Sequence, residues 1–392
     1  MNYVKINENL SLIFLFIALG LRPVYKYFEY VLNFPRVNIT VLYIVIFLLF
    51  ILSNLYYYYE NSDKKSFTGF SAFWLLLMVS LIQICSFPFI PDYANKGSYI
   101  YLTIISQTII QYWLFWSAGI NINKIWANDR FWKLMSLVWL LISIIILWSA
   151  FTNTVVFAIF LGGTQIYLML ADAFAVLSIF ILCRLDNSKK ELLLIIISSI
   201  CLFALFSRAS FYCFMLTSIV FLYKKNKIAM IGITAITGIL IFANLGNNDF
   251  TDNRMIRMIF GSYDLSQSMR EDQFNKGLNS LSEAWLLGDF MGDVDESFGE
   301  KGNYIHNYLS FWRQFGLLPF ILLSVVALSS YYKIFHYWWR NRDISGIPLF
   351  LFYISIFTLS EIIIARSFLY PYIWMSLGGI SAYFLKNKVI SK

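Results

Sequence analysis

The chain has 392 residues, of which 59% are hydrophobic, 19% aromatic and only 13% charged, with a formal net charge of +8. Soluble domains carry roughly 25% charged and 45–50% apolar residues, so a soluble fold of this composition would have to wear an oily surface. Long apolar runs separated by short polar gaps indicate an all-α polytopic membrane protein. A membrane β-barrel would show segments of about 10 alternating residues, and the composition also excludes disorder, collagen and coiled coil.

Lysines and arginines stand in short clusters between apolar runs, which sets orientation in a membrane rather than binding nucleic acid. Cys85, Cys183, Cys201 and Cys213 lie in or beside apolar runs and form no C-x-x-C pair, so neither a disulfide framework nor a zinc site is implied. The first apolar run, Leu10 to Leu21, lacks a small-residue cleavage site and reads as a first span rather than a signal peptide.

A helix needs about 20 residues to cross a bilayer. Twelve spans are expected, near 8–30, 37–59, 67–90, 98–120, 131–151, 164–184, 191–206, 209–223, 228–246, 304–332, 346–366 and 368–385. Residues 191–223 form one apolar block broken only at Ser207-Arg208-Ala209-Ser210. As one helix it would be about 50 Å long against a core of roughly 30 Å, so two short spans joined at Arg208 are expected. With the N-terminus inside, cytoplasmic segments collect 18 of the 30 Lys and Arg, which puts both termini in the cytoplasm.

Residues 247–303 form the one long polar segment, with 11 of the 22 acids and a net charge of −6. Phe274, Leu278, Leu281 and Trp285 follow helical spacing, Ser268 and Glu271 have capping-box spacing, and Gly288 is a helix stop. An amphipathic helix on the outer face is therefore expected. The chain divides in sequence order into membrane helices over 1–246, this periplasmic loop over 247–303 and membrane helices over 304–392.

Two histidines are present. His336 falls in a basic, aromatic stretch, Lys333 to Arg342, read as a cytoplasmic loop. His306 lies where the long loop re-enters the membrane, after Tyr304 and before Asn307, and can act as a general base near neutral pH or simply hold loop backbone. Arg254, Arg257 and Arg270 also face outward, either for anionic substrate or for the nearby aspartates. Arg208, at the hairpin tip, has no acid within 15 residues and suits phosphate oxygens. Arg313 shares the expected tenth span with His306. For Arg313, Glu361, Arg366 and Asp172 an internal pair is expected. No phosphate-binding loop or dinucleotide fingerprint is present, and Asp293 and Asp295 begin like a calcium loop that fails at Phe298 where glycine is required.

Three patches together resemble the O-antigen polymerase and O-antigen ligase superfamily of bacterial envelope glycosyltransferases. They are Ser207-Arg208-Ala209-Ser210; Ser268-Met269-Arg270 with its helix and Leu287-Gly288-Asp289-Phe290-Met291-Gly292; and His306-Asn307 leading to Gly316-Leu317. Members often carry an acid where this chain has Gln314. The resemblance implies a GT-C-type helical fold in the bacterial inner membrane and metal-independent, cofactor-free transfer from an undecaprenyl-diphosphate-linked oligosaccharide. His306, Arg208 and Arg270 would be catalytic, and Arg254, Arg257, Asn307, Tyr304 and Arg313 would bind substrate. Tyr304, Trp285, Phe290 and Trp312 could stack on sugars. The expected partners are that lipid-linked glycan and membrane lipid, with a chain-length regulator left open and no nucleic acid. A repeat-unit polymerase is the first expectation. A ligase to lipid A–core is the second, and a flippase of lipid-linked sugars the third, although no halved symmetry supports a transporter.

Overall fold

The computed structural model describes residues 3–31, 34–35, 39–60, 71–89, 97–152, 166–205, 207–232, 234, 265–298, 305–341 and 345–390. Every regular element among these is helical. Five segments are long and apolar enough to cross a membrane: Ile6–Lys26, Ser71–Phe89, Asp129–Phe151, Leu317–Arg340 and Ile347–Ile364. Arg254, Arg257, Tyr304 and most of the expected ninth span lie outside the described residues.

In chain order, α1 (Tyr3–Phe16) runs through a π turn at Ile17–Leu21 into α2 (Arg22–Val31), followed by α3 (Ile39–Glu60) and α4 (Ser71–Cys85). Then α5 (Gly97–Ile105) continues through a second π turn, Ser106–Ile110, into α6 (Gln111–Ile120) and the short α7 (Ile122–Trp126). Four apolar helices follow: α8 (Asp129–Phe151), α9 (Ile166–Leu182), α10 (Ser188–Ala204) and α11 (Arg208–Lys225). The polar α12 (Leu265–Glu283) precedes the short α13 (Gly292–Glu296) and α14 (Leu309–Phe315), and the chain closes with α15 (Leu317–Arg340), α16 (Ile347–Ile364) and α17 (Tyr372–Ile390).

These helices form two compact units, each drawn from stretches that are apart in sequence. One unit gathers Met1–Leu15, Asn38–Asn128 and Arg270–Lys392; the other gathers Phe16–Val37 and Asp129–Met269.

The first unit is built on backbone contact between α6 and α17. A Cβ on Gly119 would stand 2.3 Å from the Met375 carbonyl oxygen, and one on Gly378 would stand 2.6 Å from that of Trp116. Small residues at this crossing let the helices approach closely, which in lipid replaces the water-driven association of soluble helices. Polar side chains lock the neighbouring helices. The Tyr331 hydroxyl of α15 lies 2.9 Å from Ser376 Oγ of α17. Fully buried Glu361 pairs with Arg366 at 3.1 Å, the internal pairing expected of these two charges.

In the second unit, α9 is the central helix, buried from Leu170 through Cys183. Trp139 Nε1 of α8 donates to Ser178 Oγ at 2.9 Å, and Ser198 Oγ of α10 donates to the same oxygen at 3.0 Å. α10 and α11 form the expected hairpin and run antiparallel: Ser199 meets Met215 at 3.1 Å and Phe203 meets Phe211 at 5.7 Å between rings. At the far end Lys225 pairs with Glu191.

Three expectations change. The tenth span, expected over 304–332, is broken at Gly316, whose φ of 84° and ψ of 176° end α14 and allow α15 to begin at Leu317. His336 lies within α15, stacked on Tyr332 at 5.7 Å, and not in a loop. α12 starts at Leu265, three residues before the expected cap at Ser268. Its regular part ends at Glu283, and Gly288, at φ 75°, closes the turn that follows by donating its N–H to Ala284 at 2.8 Å.

The Gly119 contact supplies a test. Gly119→Ala is expected to lower the thermal midpoint of the detergent-solubilised protein by an amount equivalent to about 1–3 kcal/mol, the range for overpacking. Gly232→Ala, where a Cβ meets nothing within 4 Å, leaves the midpoint unchanged.

Candidate functional site

In the first unit the site is assembled by two crossing stretches of backbone, residues 286–289 and 313–317. The Leu317 N–H donates to the Leu286 carbonyl at 3.1 Å, and the Asp289 N–H donates to that of Arg313 at 2.7 Å. A Cβ on Gly316 would lie 2.5 Å from the Leu286 oxygen, and one on Gly288 would lie 2.3 Å from the Gly316 nitrogen. Both glycines have positive φ, so both the space and the backbone angle demand glycine here.

Arg313 fills the inside of this crossing, with its side chain only 2% exposed. Its Nη1 lies 3.2 Å from Asp293 Oδ1, Nη2 lies 2.7 Å from Glu296 Oε1, and Nε donates to Ser280 Oγ at 2.6 Å. The expected internal pairing of Arg313 is therefore present. The pair ties α14 to α12 and α13. Gln314 completes the network: its side-chain oxygen accepts from the Met291 N–H at 2.8 Å, and its amide nitrogen donates to Asp293 Oδ1. Burial pushes the Asp293 carboxyl above its usual range, opposed by Arg313 and by the Gln314 hydrogen bond. Burial also raises Asp289, again opposed by Arg313.

The glutamine at position 314 has a physical reason. The amide both donates and accepts, which a carboxylate cannot do, and a second carboxylate beside Asp293 would add like-charge repulsion. Glu296, Ser280 and Gly277 are site-building residues that the sequence did not single out, and Asp293 entered only as part of a failed calcium loop. The signal that could have found Gly277 and Ser280 is their i, i+3 spacing, a small-residue stripe on α12.

That stripe fixes His306. A Cβ on Gly277 would stand 2.2 Å from Ile305 Cγ1, so the residue before His306 seats directly on α12. Arg270 lies seven residues before Gly277, two turns earlier on the same helix face, roughly 10 Å along the axis. Arg270 and His306 are both half-buried beside this face. Asn307 caps α14: its Oδ1 accepts from the Leu309 N–H at 2.9 Å and its carbonyl accepts from Ser310 Oγ at 2.7 Å. That geometry gives Asn307 a structural task beside His306.

Among the aromatic rings considered for sugar stacking, Phe290 stacks on Phe315 at 5.7 Å and Trp312 on Phe320 at 5.0 Å, so each has one face taken by protein. Trp285 is exposed.

Arg208 belongs to the second unit. It is the first residue of α11, half-buried, one turn before Tyr212. Buried Ser207 and Ser210 lie 2.7 Å apart, and Ser210 Oγ donates to Asp172 Oδ1 of α9 at 2.6 Å. A carboxylate inside an apolar helix thus ties down the turn that carries Arg208. No group of three His, Cys, Asp or Glu side chains among the described residues is arranged to hold a metal ion. No protein-family model and no curated protein matches this chain.

Gln314→Glu is expected to destabilise the protein by about 1–3 kcal/mol, because Asp293 loses a donor and gains a like charge. The new carboxyl and Asp293 share one raised folded-state pKa, so protonation is favoured in the folded state. The deficit should therefore shrink in thermal melts as pH falls from about 8 to about 5. A deficit independent of pH would refute the like-charge account.

Proposed function

We propose that the chain is a metal-independent glycosyltransferase of the O-antigen polymerase type. It moves a growing glycan from undecaprenyl diphosphate onto the end sugar of a new lipid-linked repeat unit at the periplasmic face of the inner membrane. In this reading the chain crosses the membrane twelve times in a GT-C-type arrangement, with both termini cytoplasmic and residues 247–303 outside. The observation that carries the reading is the placement of Arg270 and His306 beside one face of α12, with Ile305 seated on Gly277. The resemblance of the Arg208, Arg270 and His306 patches to the superfamily supplies the reaction class.

The chemistry follows from these groups. The acceptor hydroxyl attacks the anomeric carbon of the donor glycan. The bond from that carbon to the diphosphate oxygen breaks, and undecaprenyl diphosphate leaves with the electron pair. A diphosphate needs no protonating acid, but it needs cations for the charge that grows on it, a role we assign to Arg270 and Arg208. The proton of the attacking hydroxyl passes to His306, which suits a base working near neutral pH. Arg313 and Asn307 act by position: the first ties α14 to α12, and the second starts the helix that follows His306. Arg254, Arg257 and Tyr304 are further candidates for holding the glycan or its phosphates.

The polymer ladder on a sugar gel reads each role. Arg270→Ala, Arg208→Ala and His306→Ala are each expected to abolish long chains while the protein remains inserted at wild-type level. For His306→Ala the loss corresponds to about 100-fold or more in rate, the contribution of a general base. Wild-type chain length in any of these variants removes that residue from the site. A deletion strain sorts the related activities: a single repeat unit on lipopolysaccharide marks a polymerase, whereas free polymer with uncapped core marks a ligase. Purified protein that moves lipid-linked units across vesicles without making new glycosidic bonds marks a flippase.

A further inference from the structure

Trp285, Leu286 and Leu287 are 50%, 54% and 82% exposed, three consecutive large apolar side chains immediately after a polar helix. An unsupported apolar tip of this kind is costly in water and marks a contact surface. It is also held rigidly in place. The Leu286 carbonyl accepts the N–H of Leu317, the first residue of the membrane-length helix α15, and the Trp285 carbonyl accepts Nε1 of Trp312 at 2.6 Å. The triplet is therefore fixed at one end of α15 by three of its neighbours' strongest constraints: a backbone bond, a ring N–H bond and the glycine crossing beside it.

The exposed apolar side of α15 begins next to this point. Leu318, Ile321, Val325, Leu328 and Tyr332 are all exposed, at the three- and four-residue spacing of one helix face. An all-apolar exposed stripe on a membrane-length helix faces lipid tails. Phe335 and Trp339, also exposed, continue it past Lys333 at the same spacing, and its other end is the Leu317 end, where Trp285–Leu287 stands. The same end carries the ring cluster of Tyr308, Trp312 and Phe320, with Tyr308 and Phe320 4.6 Å apart, and rings of this kind settle at the lipid headgroup level.

We infer that Trp285, Leu286 and Leu287 form a membrane anchor that inserts into the bilayer interface and extends the lipid-facing stripe of α15. The occupant of this surface is bilayer lipid. The anchor pins the C-terminal end of α12 to the membrane surface, and it stands independently of any enzymatic activity.

Site-directed spin labelling of the full chain tests it. Leu287→Cys is made in a Cys85→Ser background, since Cys85 is exposed whereas Cys183, Cys201 and Cys213 are buried. The labelled protein is reconstituted in phosphatidylethanolamine–phosphatidylglycerol vesicles, and collision rates with oxygen and with a water-soluble nickel chelate are compared. The reference is Lys276→Cys on the exposed side of α12. The expected result is an oxygen-to-nickel ratio several-fold higher at 287 than at 276, falling to the reference value when the vesicles are replaced by an amphipol that has no bilayer. Equal ratios at the two positions overturn the anchor, and so does low collision with both reagents, which would mean that protein covers the site. Leu286→Cys gives a second reading at an equally exposed position if the first variant folds poorly.

Discussion

A buried guanidinium inside a backbone crossing is the constraint from which the rest of this layer follows. A guanidinium keeps its charge when buried, so Arg313 is costly in a dry environment without carboxylates, and breaking such a pair by removing one partner typically costs about 3–5 kcal/mol. Asp293 and Glu296 meet it from one side and Ser280 from the other. Asp293 and Glu296 come from α13 and Ser280 from α12, so a single side chain of α14 holds two other helices at once. The crossing itself tolerates no Cβ at Gly288 or Gly316. Side-chain charge and backbone approach thus depend on each other: without the glycines the chains could not come close enough for Arg313 to be enclosed, and without Arg313 the buried Asp293 would lose its cation.

The second unit ties its helices together through hydroxyls, an indole N–H and one carboxylate. Ser178 of α9 receives Trp139 and Ser198, and Asp172 of the same helix receives Ser210. Hydrogen bonds between helices in lipid contribute about 0.6 kcal/mol on average, because an unfolded helix in lipid also finds partners. Their value here is positional. Ser178 and Asp172 lie six residues apart on a helix buried from Leu170 through Cys183, so they register α8, α10 and the start of α11 against a common reference. Arg208, the first residue of α11, inherits that register.

Features governed by thickness and charge were legible in the sequence, and features governed by close backbone approach were not. The α10–α11 hairpin follows from a length that no bilayer accommodates and from an arginine at its midpoint. The Glu361–Arg366 pair follows from the cost of leaving either alone in an apolar helix. The break at Gly316 was hidden because glycine is common in membrane helices, and the backbone that forces it open comes from residues 286 and 287, far away in sequence. The face of α12 was misjudged for a related reason. Apolar periodicity pointed to Phe274, Leu278, Leu281 and Trp285, yet Leu278 and Trp285 are exposed while Gly277 and Leu281 are buried. Hydrophobic spacing reports where large side chains would profit from burial, not where a missing side chain allows another chain to land. Gln314 was conspicuous only as a departure, and its meaning required seeing Asp293 beside it.

Net charge shows the same gap between composition and place. Residues 247–303 carry −6, which by itself would repel a diphosphate. The structure redistributes that charge. Asp293 and Glu296 are matched by Arg313, which comes from outside the segment. On α12 the helical period separates Arg270 from the acids that follow it: Glu271 and Asp272 turn away by about 100° and 200° and are exposed, whereas Arg270 shares the packed face of Gly277. Arg270 thus stands on the packed side where Ile305 arrives, while Glu271 and Asp272 stand on exposed sides of the same helix. The helical period sorts the charges of a net-acidic segment onto different sides of one helix, so the segment's total does not describe any one of its faces.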